Sequence, residues 1–350
     1  MKNVAVALVA LLAIASGCFF FNSVKKTKTQ SLSVVQSYNE WKLKFGKLYA
    51  TPSENGFRMT VFANSLSEIE GFNAEYEQQL AFRGLPPLSG PMFALQKHSD
   101  LTKAEFEATM LGLKLPAEFV MDDSNINVAH EQPIAPKKLG QSSTFQVRIR
   151  NQGDCGAGWA FSAVAVTEKF FYDQINMQID FSQQDLLNCV TDCNGCSGGW
   201  PTTALVHVGE SGLPPAAYFP YVGVQGVCSK DIKRLKMPSN WEVRQMRWSP
   251  AISTKAQVTG VWGAIKVAAS GRFRALSNTA EVYDASLSGE CTDAINHSVT
   301  AIGSPSDGVV SVMNSWGKSW AVNGVKKIKA CSSSLIWGSP SLFIHPYVSF

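Results

Sequence analysis

The chain has 350 residues, 45% of them hydrophobic, which suffices for one large or two medium globular units, each with its own core. Charged residues make up 17%, and 31 basic against 27 acidic side chains leave a net charge of +4. No Lys/Arg block is longer than Lys25-Lys26, so the balance argues against nucleic-acid binding and for a soluble globular protein.

At the N-terminus Lys2 precedes an unbroken apolar run from Val4 to Ala15 and a small-residue exit at Ser16-Gly17-Cys18. This pattern predicts a secretory signal peptide over residues 1–17. The run is shorter than the ~20 residues of a spanning helix. An uncleaved anchor extended by Phe19-Phe20-Phe21, and a lipoprotein reading of Gly17-Cys18, stand as alternatives. No other segment is apolar enough to span a membrane.

Residues 32 to about 80 carry helical periodicity. Trp41, Phe45 and Tyr49 recur at four-residue steps, which predicts one helical face. Val61, Phe62, Leu66, Ile69 and Phe72 form a second stripe, as expected of a helical hairpin with an apolar seam. Gly84-Leu-Pro-Pro-Leu-Ser-Gly-Pro91 breaks the pattern, and Asp100-Leu-Thr-Lys-Ala-Glu-Phe106 predicts a short capped helix. Residues 116–143 are rich in Pro, Asp, Ser, Asn and Lys and predict an exposed connector.

Beyond the connector the composition changes. Of eight cysteines, seven lie from Cys155 onward: Cys155, Cys189, Cys193, Cys196, Cys228, Cys291 and Cys331. In a secreted chain this predicts a disulfide framework confined to one domain. Cys193-x-x-Cys196 has zinc-ligand spacing, but no second pair or histidine stands at a suitable distance, and no metal or cofactor is expected.

Asn151-Gln-Gly-Asp-Cys-Gly-Ala-Gly-Trp-Ala-Phe-Ser162 is a glycine-rich turn running into a helix, expected to be amphipathic from Trp159 to about Tyr172. The first turn of such a helix lowers a thiol's pKa, and backbone N–H groups there, with the Gln152 amide, can bind an oxyanion. His297 opens a short apolar strand, and a second strand ends in Asn314-Ser-Trp-Gly317. An asparagine that accepts from the imidazole and a tryptophan that shields the bond make a base with its orienter.

These four segments, Gln152–Ser162, Cys196-Ser-Gly-Gly-Trp-Pro201, Asn296-His297 and Asn314-Ser-Trp-Gly317, resemble in order and spacing those of the papain family of cysteine peptidases. Glu54, Arg58, Phe62, Ile69, Asn73 and Asp100-Leu-Thr-x-x-x-Phe106 resemble the prosegment of the cathepsin L-like branch, although Ser65 stands for its Asn, and Ala94, Gln96 and His98 for its Gly, Asn and Phe. The resemblance implies an α+β papain-like fold of two lobes, one helical and one a β-barrel-like sheet. A helical inhibitory prosegment over 32–115 would run through the groove of a peptidase-like domain over 144–350. It implies site roles for Gln152, His297 and Asn314, and a substrate groove of Gly156, Gly198, Gly199, Trp200 and Pro201 with Ile295 opposite, suited to an apolar side chain. It also implies disulfides Cys155–Cys196 and Cys189–Cys228; Cys291–Cys331 is a further candidate pair outside that pattern, since Trp337 stands about where the partner of Cys291 is expected and Cys331 lies several residues earlier, and Cys193 is left over.

One departure outweighs the rest. Gly158 stands where the family's nucleophilic cysteine belongs, and Cys155 matches a structural cysteine instead. The expected function is therefore an inactive peptidase homologue that keeps a peptide-binding groove. Its expected partners are peptides or proteins, cystatin-like inhibitors and its own prosegment, in the secretory pathway, a lysosome-like compartment or outside the cell. Two alternatives stay open: an active endopeptidase in which Gly158 is an artefact or engineered change, and a structural relic of the fold. The resemblance also predicts a gap the size of a CH₂–SH group beside His297, and that Gly158→Cys restores cleavage. Ala321 replaces a usual glycine after Trp320, a smaller drift in the same direction.

Overall fold

The computed structural model describes residues 34–114, 145–237, 241–247, 262–290, 295–306, 309–329 and 342–348. The expected signal segment 1–17, the connector 116–143 and the cysteines Cys291 and Cys331 lie outside the described residues. The chain divides into two compact units, one reaching to Ser67 with Ser99–Leu101, the other Glu68–His98 with Thr102 onward.

In the first unit helix α1 spans 34–45 and α2 begins at Pro52. Tyr38 and Trp41 recur on one face of α1 and each sets its ring 5.2 Å from Phe62 of α2. The four-step pattern placed Tyr49 on the same helix. Instead Gly46, at φ +61°, turns the chain out of α1. Tyr49 then lies beyond the helix and donates to Asp100 at 2.7 Å, which Lys47 also grips at 2.8 Å. Arg58 donates to the Asp100 carbonyl, so this buried acid ties three elements together.

Helix α2 continues to Phe82, longer than its apolar stripe suggested. In the second unit the Asn73 side chain both donates to and accepts from the backbone of Phe93 at 2.9 Å. Helix α3 (Lys103–Met110) opens with a capping box between Thr102 and Glu105. Its Phe106 and Met110 are buried.

The rest of this unit has the expected α+β architecture. Helices α4 (Gly158–Ile175), α5 (Gln183–Cys189) and α6 (Pro201–Ser211) make the helical lobe. The strands are β1 (Trp241–Arg247), β2 (Gly263–Val267), β3 (Tyr283–Asp284), β4 (His297–Ser306), β5 (Val309–Met313), β6 (Val325–Lys329) and β7 (Leu342–Val348). They form one sheet in the order β1-β7-β2-β4-β5-β6-β3. A short helix α7 (Gly271–Arg274) precedes β3.

Helix α4 is not the amphipathic helix its sequence suggested. Every residue from Gly158 to Glu168 is buried, because α5 and α6 pack on one side and β2 and β4 on the other. Glu168 tolerates burial because Arg150 reaches it with both guanidinium ends, at 2.7 and 3.1 Å. Disulfides join Cys155 to Cys196 and Cys189 to Cys228. Each closes a loop of about forty residues, which removes ~4 kcal/mol of chain entropy from the unfolded state. Cys193 is free and buried, and its apolar surroundings push the thiol up to about 11. Ala321 sits at φ +46°, a left-handed conformation in which glycine carries no steric cost.

Candidate active site

Register brings the expected base and orienter together. In the antiparallel pair β4–β5, Thr300 faces Met313, so His297 at the head of β4 meets the residues just after β5. His297 Nε2–H donates to Asn314 Oδ1 at 2.9 Å. The same oxygen accepts from the Ser315 amide at 2.8 Å, which fixes the Asn314 side chain. The Trp316 ring stacks on the imidazole, with centroids 4.7 Å apart and planes 24° from parallel. Phe106 of α3 meets the Trp316 ring edge-on at 5.3 Å.

This enclosure leaves His297 with no exposed surface. Burial pushes its pKa down to about 4, against the smaller raising effect of the Asn314 bond. Nδ1, the free lone pair, faces Gly158 and has no hydrogen-bond partner among the described residues. The linkage has a definite sign. The folded value lies below the ordinary 6.5, so the unfolded chain takes up the proton first. The stability is fully present above pH ~6.5 and is lost as pH falls towards ~4, an effect of order 3 kcal/mol. His297→Gln should therefore flatten the fall in the urea midpoint between pH 7.5 and 4.5. Parallel curves for the two proteins would show that His297 does not titrate in this way.

Gly158 is the first residue of α4, after Ala157, which makes no side-chain cap. The expected CH₂–SH gap is not there. A Cβ built on Gly158 would lie 2.7 Å from His297 Cε1, 3.0 Å from its Nδ1 and 2.9 Å from the Ser298 carbonyl oxygen. The imidazole and the Ser298 carbonyl already take the space a Cβ would need, in keeping with close packing of the interior.

Gln152 is buried, and Ser315 Oγ donates to its Oε1 at 2.6 Å. Its Nε2 donates to the carbonyls of Met110 at 3.0 Å and Cys155 at 2.8 Å. Both amide hydrogens are therefore committed, and the expected oxyanion donor is occupied by the chain's own backbone.

Met110 begins a segment that is bonded to the loop holding Gly199 and to Asn296. Gly199 N–H donates to the Gly112 carbonyl at 2.8 Å, Lys114 N–H to Gly199 at 3.2 Å and Leu113 N–H to Asn296 at 3.1 Å. The approach requires glycines: a Cβ on Gly112 would lie 2.0 Å from the Gly156 oxygen, and one on Gly198 2.5 Å from the Gly112 oxygen. Gly156, Gly198 and Gly199 thus pack against residues 111–114. Trp200 and Pro201 are buried at the start of α6, and Ile295 is half-buried.

Sequence reasoning missed Met110, Gly112, Ser315 and Lys266. Gly112 leaves no pattern in a single sequence. Lys266 is a buried cation 4.2 Å from the Trp200 ring, and desolvation pulls its pKa down to about 7. It lies within a strand whose burial is unbroken, where a lysine is unexpected. Among the described residues no group of His, Cys, Asp and Glu is arranged to hold a metal, and no helix is long and apolar enough to cross a membrane.

Residues 137–336 match the family described as papain family cysteine protease, and residues 38–106 the cathepsin propeptide inhibitor domain. The chain belongs to the papain family. Cathepsin L 2 of Paramecium tetraurelia is 26% identical over 329 residues, covering 92% of this chain and 96% of that protein. Papain of Carica papaya is 26% identical over 330 residues, covering 93% and 90%. Among solved structures, a recombinant stem bromelain precursor is 25% identical with a TM-score of 0.66, covering 91% of this chain and all of that one. A digestive procathepsin L2 from Tenebrio molitor has a TM-score of 0.67 at 23% identity and supports the fold alone.

Proposed function

We propose that this papain-family member is a catalytically silent homologue whose groove is held by its own prosegment. Residue 158 takes the position of the nucleophile and is glycine, and one observation carries the reading: the His297 ring lies 2.7 Å from where a Gly158 Cβ would be, and its Nδ1 has no hydrogen-bond partner among the described residues. Removing the nucleophile from such a triad typically costs ~10⁶ in rate. The expected oxyanion donor is also committed elsewhere, since the Gln152 amide is bonded to Met110 and Cys155.

Residues 32–115 act as the prosegment and 144–350 as the peptidase-like domain. Peptides, protein ligands or cystatin-like inhibitors reach the groove only when residues 110–114 leave it. The apolar N-terminal run and the two disulfides support a secretory, oxidising compartment. Autocatalytic removal of the prosegment is then impossible. Held at pH 4.5 free of other proteases, the purified chain should keep its full mass for hours at any concentration. A concentration-dependent loss of the N-terminal segment, read by mass spectrometry, would refute the silent reading.

A further inference from the structure

The inner face of strand β6 carries a lysine where an apolar side chain is expected. Along the strand Lys327 and Lys329 are exposed, while Lys326 and Ile328 alternate with them and are buried. Lys326 is 1% exposed and faces Val312 of β5 in the antiparallel ladder. Its ammonium donates to the carbonyls of Thr279 at 2.9 Å and Ser277 at 3.4 Å, and among the described residues no carboxylate forms an ion pair with it. The charges on the neighbouring elements are engaged elsewhere. Asp284 of β3 pairs with Lys329, Glu290 accepts from Tyr283, Arg272 of α7 pairs with Glu75, and Arg274 lies over Phe106. Strand β5 has no titratable side chain. Glu281 acts on the ammonium from beyond pairing distance.

The two carbonyls that hold Lys326 belong to the loop that clasps residues 91–96. Ser277 N–H donates to the Met92 carbonyl at 2.9 Å, and Ser277 Oγ to the Pro91 carbonyl at 2.6 Å. Ala94 N–H donates to Ala275 at 2.7 Å, and Gln96 Nε2 to Leu276 at 2.8 Å. Closing this clasp thus keeps a cation in an apolar interior with two carbonyl dipoles in place of its water. Burial pushes the Lys326 pKa down to about 8 from the ordinary 10.5, against the smaller raising effect of Glu281.

We propose that Lys326 is a loosening charge built in beneath this loop, so that the clasp on residues 91–96 opens more readily at neutral pH than in alkali. Closing the loop over Lys326 favours the neutral amine, and opening it to water favours the ammonium. Below about pH 8 the buried charge opposes closure, and the opposition fades as pH rises towards 10.5. An apolar residue at this position would hold the clasp shut at every pH. The device does not depend on whether the protein has peptidase activity.

The test reads hydrogen exchange in the full chain at the amides of Ala94 and Ser277, both of which bond across the clasp. Protection, taken as the intrinsic rate over the measured rate, should rise by about tenfold or more from pH 7 to 9.5. In Lys326→Met it should be high already at pH 7 and flat across that range. Lys326→Gln, which keeps a donor without the charge and serves if the first variant does not fold, should be flat as well. Lys266 titrates lower, near 7, on another strand, so the comparison of variants isolates Lys326. Flat protection in the natural protein, or an equal rise in the neutral variants, would overturn the proposal. Lower protection in Lys326→Met at pH 7 would also overturn it, because the ammonium would then be holding the loop rather than loosening it.

Discussion

Replacing Gly158 with cysteine is expected to destabilise the protein and to leave it without peptidase turnover. The incoming Cβ would sit 2.7 Å from His297 Cε1 and 2.9 Å from the Ser298 carbonyl oxygen. The second contact is backbone and cannot swing aside. The imidazole cannot retreat freely either, since Asn314 holds it at 2.9 Å and Trp316 is stacked on its face. Overpacking a filled site of this kind costs ~1–3 kcal/mol. The expectation from sequence was the reverse, because it assumed a gap of the size the missing side chain would leave. The urea midpoint and the reactivity of the new thiol towards a mild alkylating agent decide the matter. A Gly158→Cys protein with unchanged stability and rapid alkylation would show that the ring moves freely.

Gly112→Val should expel residues 110–114 from their place against Gly156 and Gly199. The first added carbon alone would lie 2.0 Å from the Gly156 oxygen, less than a van der Waals contact by more than an ångström. No rotamer relieves it, because the partner is backbone. Expulsion breaks the bonds Gln152 Nε2–Met110 O, Gly199 N–Gly112 O, Leu113 N–Asn296 O and Lys114 N–Gly199 O. At ~1 kcal/mol each, their loss amounts to ~4 kcal/mol of docking. Hydrogen exchange at the amides of Leu113, Lys114 and Gly199 should accelerate by about two orders of magnitude or more, to the extent that protection depends on this docking. Unchanged protection would mean that the segment is held by α3 alone, through contacts such as Phe106 on Trp316.

The contrast between these two sites shows what the sequence could and could not tell. Local chemistry was legible: Asp100–Phe106 reads as a short capped helix, and His297 and Asn314 on two successive apolar runs read as a base with its orienter. The α+β two-lobe architecture came from the resemblance to the papain family that those motifs carry. Burial that depends on distant partners was not legible. Helix α4 reads as one-sided until α5, α6, β2 and β4 are all packed on it. Tyr49 fits the α1 stripe until Gly46 ends the helix. The fate of the space beside Gly158 depends on how far a ring on another lobe can move, and no spacing in the chain encodes that distance.

The central claim is that the groove has no working nucleophile. It is tested most directly on purified protein whose prosegment has been cut away with a trace of an unrelated serine protease, afterwards inhibited. Fluorogenic peptides with an apolar penultimate residue are then incubated with it between pH 4.5 and 7.5, with and without a thiol-directed epoxide. General-base help to water without a covalent step contributes only ~10²–10⁴. The account predicts no turnover above buffer and no covalent mass gain from the epoxide at residues 152–162. Epoxide-sensitive cleavage, or an adduct within that segment, would contradict it.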